Sequence, residues 1–471
     1  MGLSLCLGFV HDGGKLVISC RKDSVNRCKD YINISILSSV NREYFMHTIK
    51  FLLLCLLIAT HPALAQSLPE VIALTLKSNP VIQSSSQTVK AAEAMRRQAV
   101  AGYLPVIDLT LASGTEYSDN STTRSMGTLD DRFTRTDRSI SITQLLYDGA
   151  STSNLVKQQE AVLVATEARL AQNREMTSLQ AVQAYVELIR LEKIVELAQG
   201  NLLFHIDTLD KINTRFETGV GTKVDVVQTQ GRKAQSESNL HFSKNNAMNA
   251  RARFFNIVGE NARDLVMPEE GIELPLTLEQ AIQLAYGNNK QILAAEADVQ
   301  AAKAANERTR ANFKPRLDLK LGATRNDNID GVMGPNDDET AVVKMSYNLY
   351  RGGADRAKRN EAQAREFAAR ETLRSIKNRV VEEITVFWND NEDIKARLTF
   401  LKAHVDATEE VLEVYKEQLT LGKRSLLDVL DVQNELLRAQ ASHLSGEINL
   451  RLAQYRLLAS TSSLLTHFNL Q

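Results

Sequence analysis

The polar and apolar positions of this chain follow two periods. Ile107, Leu109 and Leu111 alternate with Asp108, Thr110 and Ala112, and Leu317, Leu319 and Leu321 alternate with Asp318, Lys320 and Gly322. Ile140, Ile142 and Leu146 stand against Ser139, Ser141 and Thr143, while Val343, Met345, Tyr347 and Leu349 interleave with Lys344, Ser346 and Asn348. A period of two predicts strands, here at about 105–117, 138–147, 315–325 and 341–350. Segments of roughly ten residues with one apolar and one polar face fit the strands of a membrane barrel. A soluble amphipathic sheet fits the alternation equally well. The loops at 116–138 and 325–340 are rich in Asp, Asn, Thr and Gly, as solvent-exposed connections are.

Elsewhere the period is helical. Tyr185, Leu188, Leu191, Val195, Ala198, Leu202, Ile206 and Leu209 recur at steps of three and four, the spacing of a coiled-coil seam. Proline is absent between Pro105 and Pro268 and after Pro335. Gly200 is the only glycine between residues 150 and 218, and there is none from 354 to 421. Uninterrupted helices are therefore expected at about 150–218 and 354–421, each about 100 Å long at about 1.5 Å per residue. Shorter helices follow at about 223–257 and 426–464.

These elements occur twice. Ser67-Leu68-Pro69-Glu70 and Thr277-Leu278-Glu279-Gln280 each open a short helix with a capping-box pattern, 210 residues apart. Pro105-Val106-Ile107-Asp108-Leu109 matches Pro315-Arg316-Leu317-Asp318-Leu319 at the same displacement. Beyond the next loop the displacement falls to 203: Tyr147-Asp148-Gly149-Ala150 matches Tyr350-Arg351-Gly352-Gly353, Tyr185 matches Trp388, and Gly219 through Asp225 match Gly422 through Asp428. A length difference confined to one polar loop is a surface insertion. The chain is a tandem repeat, with units at 66–265 and 277–471 joined by a linker at 266–276. Four strands cannot close a barrel, and an open sheet edge does not persist in lipid, so spanning strands require several chains to pool them.

Composition narrows the class further. With 56 basic and 57 acidic side chains, the chain has no electrostatic bias towards nucleic acid. No apolar stretch reaches the roughly 20 residues of a spanning helix. The compact apolar run 51–59 follows Lys50 and precedes Ala63-Leu64-Ala65, the pattern of a secretory signal peptide at 46–65. Met46 is then the natural start and 1–45 an upstream extension, an unusually long leader being the alternative. Cys6, Cys20, Cys28 and Cys55 all precede the expected cleavage, so the mature chain lacks disulfides and thiolate metal ligands. Cys55 follows Leu54 rather than a small residue, which argues against a lipoprotein site.

The helix–turn–helix junctions carry the remaining chemistry. Gly219 and Gly422 suit the left-handed conformation at a helix C-terminus. Thr222 with Asp225, and Ser425 with Asp428, then supply N-caps whose carboxylates meet the positive end of the next helix dipole. Asp431 lies one turn beyond Asp428 on the same helix face. His205, His241, His404, His443 and His467 are scattered without ligand spacing. Glu382-Glu383 and Asp337-Asp338-Glu339 read as solvated charge. No nucleophile elbow, phosphate-binding glycine loop or zinc-protease motif is present, so no catalysis, cofactor or metal is expected.

The export signal, duplicated unit, paired strands and long helices resemble the TolC family of outer-membrane channel-tunnels over about 66–471. The most specific stretch is Gly422-Lys423-Arg424-Ser425-Leu426-Leu427-Asp428-Val429-Leu430-Asp431, similar to the family's tip motif G-x-R-[ST]-x-x-D-V-L-D, with its repeat partner at 219–225. The resemblance implies a mainly α fold with transmembrane β: a homotrimer whose four strands per chain form a twelve-stranded outer-membrane barrel above a periplasmic α-barrel. It implies a passive duct met at its tip turns (Gly219, Thr222, Gly422, Ser425) by a periplasmic adaptor and an inner-membrane ABC transporter or proton-driven pump. It also assigns Asp428 and Asp431 to a periplasmic constriction and Arg424 to its closing links, with Asp225 beside them at the tip. Six such carboxylates would repel, by about 0.7 kcal/mol per pair at about 6 Å in water, and favour cations. The family's tyrosine three residues before the tip glycine is Leu419 here. The run 347–356, Tyr-Asn-Leu-Tyr-Arg-Gly-Gly-Ala-Asp-Arg, resembles the type I secretion branch, including adhesin export; multidrug or solute efflux is the alternative. A periplasmic coiled-coil adaptor or structural protein is a second alternative, but adaptors carry one helical hairpin where two are expected here.

Overall fold

The computed structural model describes residues 66–268 and 271–470, with the backbone of two short N-terminal strands. The expected signal peptide and all four cysteines lie outside the described residues. The chain divides into two units, Met1–Leu64 and Ala65–Gln471. In the first, His11–Asp12 pairs antiparallel with Lys15–Leu16. All elements named below belong to the second.

Each repeat opens with two helices. Helix α1 (Leu68–Ser78) starts at the capping box of Ser67 and Glu70 and stops at Asn79. The Asn79 side chain accepts the Val81 N–H at 2.9 Å and so begins α2 (Pro80–Ala101). The sequence pattern ended this segment at Asn79-Pro80 and missed the second helix, whose surface is mostly polar. After the sheet strands come α4 (Ser151–Glu217) and α5 (Lys223–Val258). The second repeat supplies α6 (Leu278–Asn288), α7 (Lys290–Thr309), α8 (Ala354–Thr420), α9 (Leu426–Ser460) and a closing turn α10 (Leu464–His467). Helices α4 and α8 contain 67 residues each. The duplication extends to single hydrogen bonds: Asn79 Nδ2 donates to the Ile257 carbonyl at 3.1 Å, and Asn289 Nδ2 to the Ser460 carbonyl at 2.8 Å.

The strands β1 (Val106–Glu116), β2 (Phe133–Tyr147), β3 (Arg316–Asp327) and β4 (Pro335–Ser346) form one antiparallel sheet in that order. Register aligns the apolar positions across it: Ile107 faces Ile142, which faces Leu321, which faces Ala341. Among the described residues both outer strands keep an unpaired edge. Two strands differ from the alternation, one at its start and one at both ends. Strand β2 begins at Phe133 rather than 138, and β4 runs Pro335–Ser346 rather than 341–350. Backbone ladders form irrespective of side-chain polarity, so Asp337 pairs with Arg325 and Glu339 with Ala323 beyond the apolar band. The first joining loop also holds a short helix, α3 (Ser121–Met126), capped by Asn120 and tied to the second hairpin by Asn120 Nδ2 on the Asp330 carbonyl at 2.9 Å.

The largest apolar cluster sits midway along the long helices. Tyr185, Leu188, Val71, Ile72, Phe254 and Leu464 are buried there. The Tyr185 hydroxyl lies 2.6 Å from the Val266 carbonyl and accepts the Val266 N–H at 3.0 Å, fastening the inter-repeat linker. Trp388, its repeat partner, is half-buried against Ile384 and Val380. Below residue 200 the seam departs from the expected one. Asn201, His205 and Thr208 are buried where Leu202, Ile206 and Leu209 were expected, and Ile206 is exposed. Asn201 and Thr208 are tolerated because they have partners: Asn201 Nδ2 donates to Ser236 Oγ at 3.0 Å, Gln433 Nε2 reaches Asn201 Oδ1 at 3.3 Å, and the Thr208 hydroxyl donates to the Phe204 carbonyl at 2.8 Å. Among the described residues no helix is long and apolar enough to cross a membrane.

Candidate functional site at the helical tips

Two turns, α4 to α5 and α8 to α9, carry the residues singled out in the sequence. Each long helix ends in the same way. Gly219 at φ +79° and Gly422 at φ +69° are left-handed. The Val220 N–H returns to the Arg215 carbonyl at 2.9 Å, and Lys423 N–H to the Gln418 carbonyl at 2.9 Å. This six-to-one bond, with a five-to-two bond from each glycine, is a Schellman closure that satisfies the last carbonyls. The outgoing helices then start on reciprocal caps. Asp225 N–H donates to Thr222 Oγ1 at 3.2 Å, while the Asp225 carboxylate accepts the Thr222 N–H at 3.3 Å and its hydroxyl at 2.8 Å. Asp428 N–H donates to Ser425 Oγ at 3.2 Å, and its carboxylate accepts the Ser425 N–H at 3.3 Å.

Asp428 and Asp431 differ in their company. Asp428 is the capping-box partner of Ser425, with Arg424 Nη1 3.8 Å away. Asp431 accepts a 2.6 Å hydrogen bond from Arg232 Nη2 on α5, a residue of the other repeat. Arg424 turns back onto α8, where its guanidinium carbon lies 3.9 Å from the centre of the Tyr415 ring. Its Nε is buried without a hydrogen-bond partner, the geometry of a cation held by a π face. Leu419, at the position of the absent tyrosine, packs half-buried beside Val429 and Leu430. Beneath this layer His205 is buried, and burial followed by the Arg232 charge holds its imidazole below the usual range.

The sequence spacing predicts both caps, which the structure shows, and gives no sign of Arg232 beside Asp431 or of Tyr415 beside Arg424. Arg232 and Asp431 lie 199 residues apart, and no local pattern links them. The repeat alignment carried the one available signal, since the counterpart of Arg232 is Glu435. Among the other histidines, His404 approaches Glu435 at 3.4 Å and His443 approaches Glu447 at 4.0 Å. No group of His, Cys, Asp or Glu able to hold a metal occurs among the described residues.

Among the described residues the chain is thus a four-stranded antiparallel sheet joined to paired helical hairpins with charged tips, and comparison with known proteins gives the class. The chain belongs to the outer membrane efflux protein family, whose sequence profile matches residues 71–260 and 281–462, one stretch per repeat. It is 26% identical to the outer membrane efflux protein BepC of Brucella suis, covering 85% of this chain and 86% of BepC. It is 22% identical to the alkaline protease secretion protein AprF of Pseudomonas aeruginosa, over 84% of this chain and 86% of AprF. The fold superposes on the CmeC outer membrane channel of Campylobacter jejuni with a TM-score of 0.75 at 14% identity, covering 84% of this chain and 86% of CmeC. Proteins of this family are passive outer-membrane ducts rather than enzymes, with their helices in the periplasm. They act as trimers with periplasmic adaptors and inner-membrane pumps or transporters.

Proposed function

We propose that this chain is the exit duct of a type I protein secretion system, with adhesins as the class of cargo, working with an adaptor and an inner-membrane ABC transporter. The observation that carries the reading is the end-to-end similarity to AprF, a protein named for secreting a protease. The similarity to BepC, named an efflux protein, supports drug or solute efflux through a proton-driven pump as the second reading. In either case the tips are the working end. Asp428 and Asp431 line a periplasmic constriction, Arg424 and Asp225 brace it, and the turns at Gly219, Thr222, Gly422 and Ser425 meet the adaptor. Deleting the gene and comparing secreted protein with drug sensitivity separates the readings. Loss of a secreted protein with unchanged drug tolerance supports secretion, whereas drug sensitivity with an intact secretome supports efflux. For the constriction, Asp428→Asn with Asp431→Asn should abolish cation preference in planar bilayers while trimers still assemble. Unchanged selectivity in that double variant overturns it.

A further inference from the structure

The tip is not a bare ring of acids. Each chain brings Asp428 and Asp431 together with Arg424 and Arg232, so the four charges cancel within one subunit. Arg232 Nη2 and Asp431 Oδ1 are 2.6 Å apart, with side chains 39% and 56% exposed. The pair is thus tight but in contact with solvent, where an arriving ion can compete for it. It is also built from the asymmetry of the duplication. The repeat counterpart of Asp431 is Gln228, and that of Arg232 is Glu435, which instead faces His404 at 3.4 Å. Only one cross-repeat combination therefore places a base opposite an acid at this level.

The remaining geometry restricts what Arg232 can do otherwise. His205 lies buried beneath it on α4, and its Nδ1 has no hydrogen-bond partner. Burial first, and then the Arg232 charge, hold its imidazole below the usual range, against a hydrogen bond with Asn434. Among the described residues the ion-pair partner of Arg232 is Asp431. Asp428 is already engaged in the capping box of α9, its carboxylate accepting the Ser425 N–H.

We propose that Arg232 is the selectivity-setting residue of the duct's periplasmic mouth, masking Asp431 within its own chain so that the pore presents Asp428 as its effective acid. The inference rests on the reading that Asp428 and Asp431 face the pore. Charge rather than shape is the variable, so the effect appears in ion permeability.

The test is the reversal potential of reconstituted trimers in a KCl gradient, with Mg²⁺ titrated from the periplasmic side. Arg232→Gln should raise the cation-to-anion permeability ratio about ten-fold for each uncovered unit charge about 6 Å from a permeating ion in water, roughly three-fold from attracting the cation and roughly three-fold from repelling the anion. It should also increase block by Mg²⁺. The exchanged pair, Arg232→Asp with Asp431→Arg, should return both readouts to wild type, and it covers the case in which Arg232→Gln fails to assemble. Unchanged permeability and Mg²⁺ block in Arg232→Gln, while Asp428→Asn still alters selectivity, overturns the role of Arg232 and leaves the pore reading standing. No change in any of these variants, Asp428→Asn included, overturns the pore reading itself.

Discussion

Arg424 lies over the face of Tyr415, its guanidinium carbon 3.9 Å from the ring centre. A ring one turn further up α8 thus holds the tip arginine, although the position three residues before the tip glycine carries Leu419. The contact uses the π face and not the hydroxyl. Tyr415→Phe should therefore behave as wild type, whereas Tyr415→Ala loses about 0.5–2 kcal/mol of restraint on Arg424. Closed-state conductance of reconstituted channels checks this, with a rise expected for the alanine variant alone.

The tip turns should be sensitive to small changes that the long helices absorb. Ser425→Ala and Thr222→Ala each remove a reciprocal cap and should cost about 1 kcal/mol of local stability. Gly422→Ala forces a side chain into φ +69° and should cost a similar amount, about 1 kcal/mol. Gly200→Ala offers the contrast. That glycine is helical and exposed within α4, with nothing within 4 Å of an added methyl group, so alanine should stabilise by about 1 kcal/mol. Amide exchange across 219–225 and 422–428 should quicken in the first three variants and not in the fourth.

Glu175 is buried on α4 against the first turn of α10, with one carboxylate oxygen lacking a partner. Burial pushes its carboxyl from 4.5 up to about 7, opposed by the backbone amides of Leu465 and Leu464 and by Lys290 and Arg174. The neutral acid is the form the fold accommodates. Below the ordinary carboxylate range the site costs nothing; as pH rises towards 7 the unfolded chain ionises first and stability falls, by about 3 kcal/mol once the folded carboxyl has also ionised. Glu175→Gln should flatten that slope and be the more stable protein at pH 8. Melting of the purified oligomer at pH 5 and pH 8 measures it, and parallel profiles for the two proteins would exclude the effect.

The sheet makes an equally direct demand. Leu109 and Thr110 are neighbours on β1 that point to opposite faces. Leu109 belongs to the apolar row shared with Ile140, and Thr110 to the polar row shared with Ser139. Arginine at 109 should cost about 2–4 kcal/mol if that face meets the lipid midplane, while arginine at 110 should be tolerated. Heat-resistant trimer bands in outer-membrane fractions report the difference.

Much of this architecture is legible in the sequence. The absence of proline through 150–218 and 354–421 marked the long helices, and the glycine–hydroxyl–carboxylate spacing marked both tips. What escaped has particular reasons. Asp337, Asp338 and Glu339 are polar enough to resemble a loop, yet they sit in a ladder that needs only backbone groups. Asn201, His205 and Thr208 were passed over for Leu202, Ile206 and Leu209, because their partners Ser236, Gln433 and Asn434 arrive from other helices. The Arg232–Asp431 contact joins two repeats and has no signature in either.

The identical count of 67 residues in α4 and α8 acts as a ruler. Adding one heptad to a single repeat would push its turn about 10 Å past the other at about 1.5 Å per residue. The rim would become a step, and Arg232 could no longer meet Asp431. Length in such a molecule can change only in matched pairs, so a duct built for a wider periplasm must gain its extra turns in both halves of the gene at once.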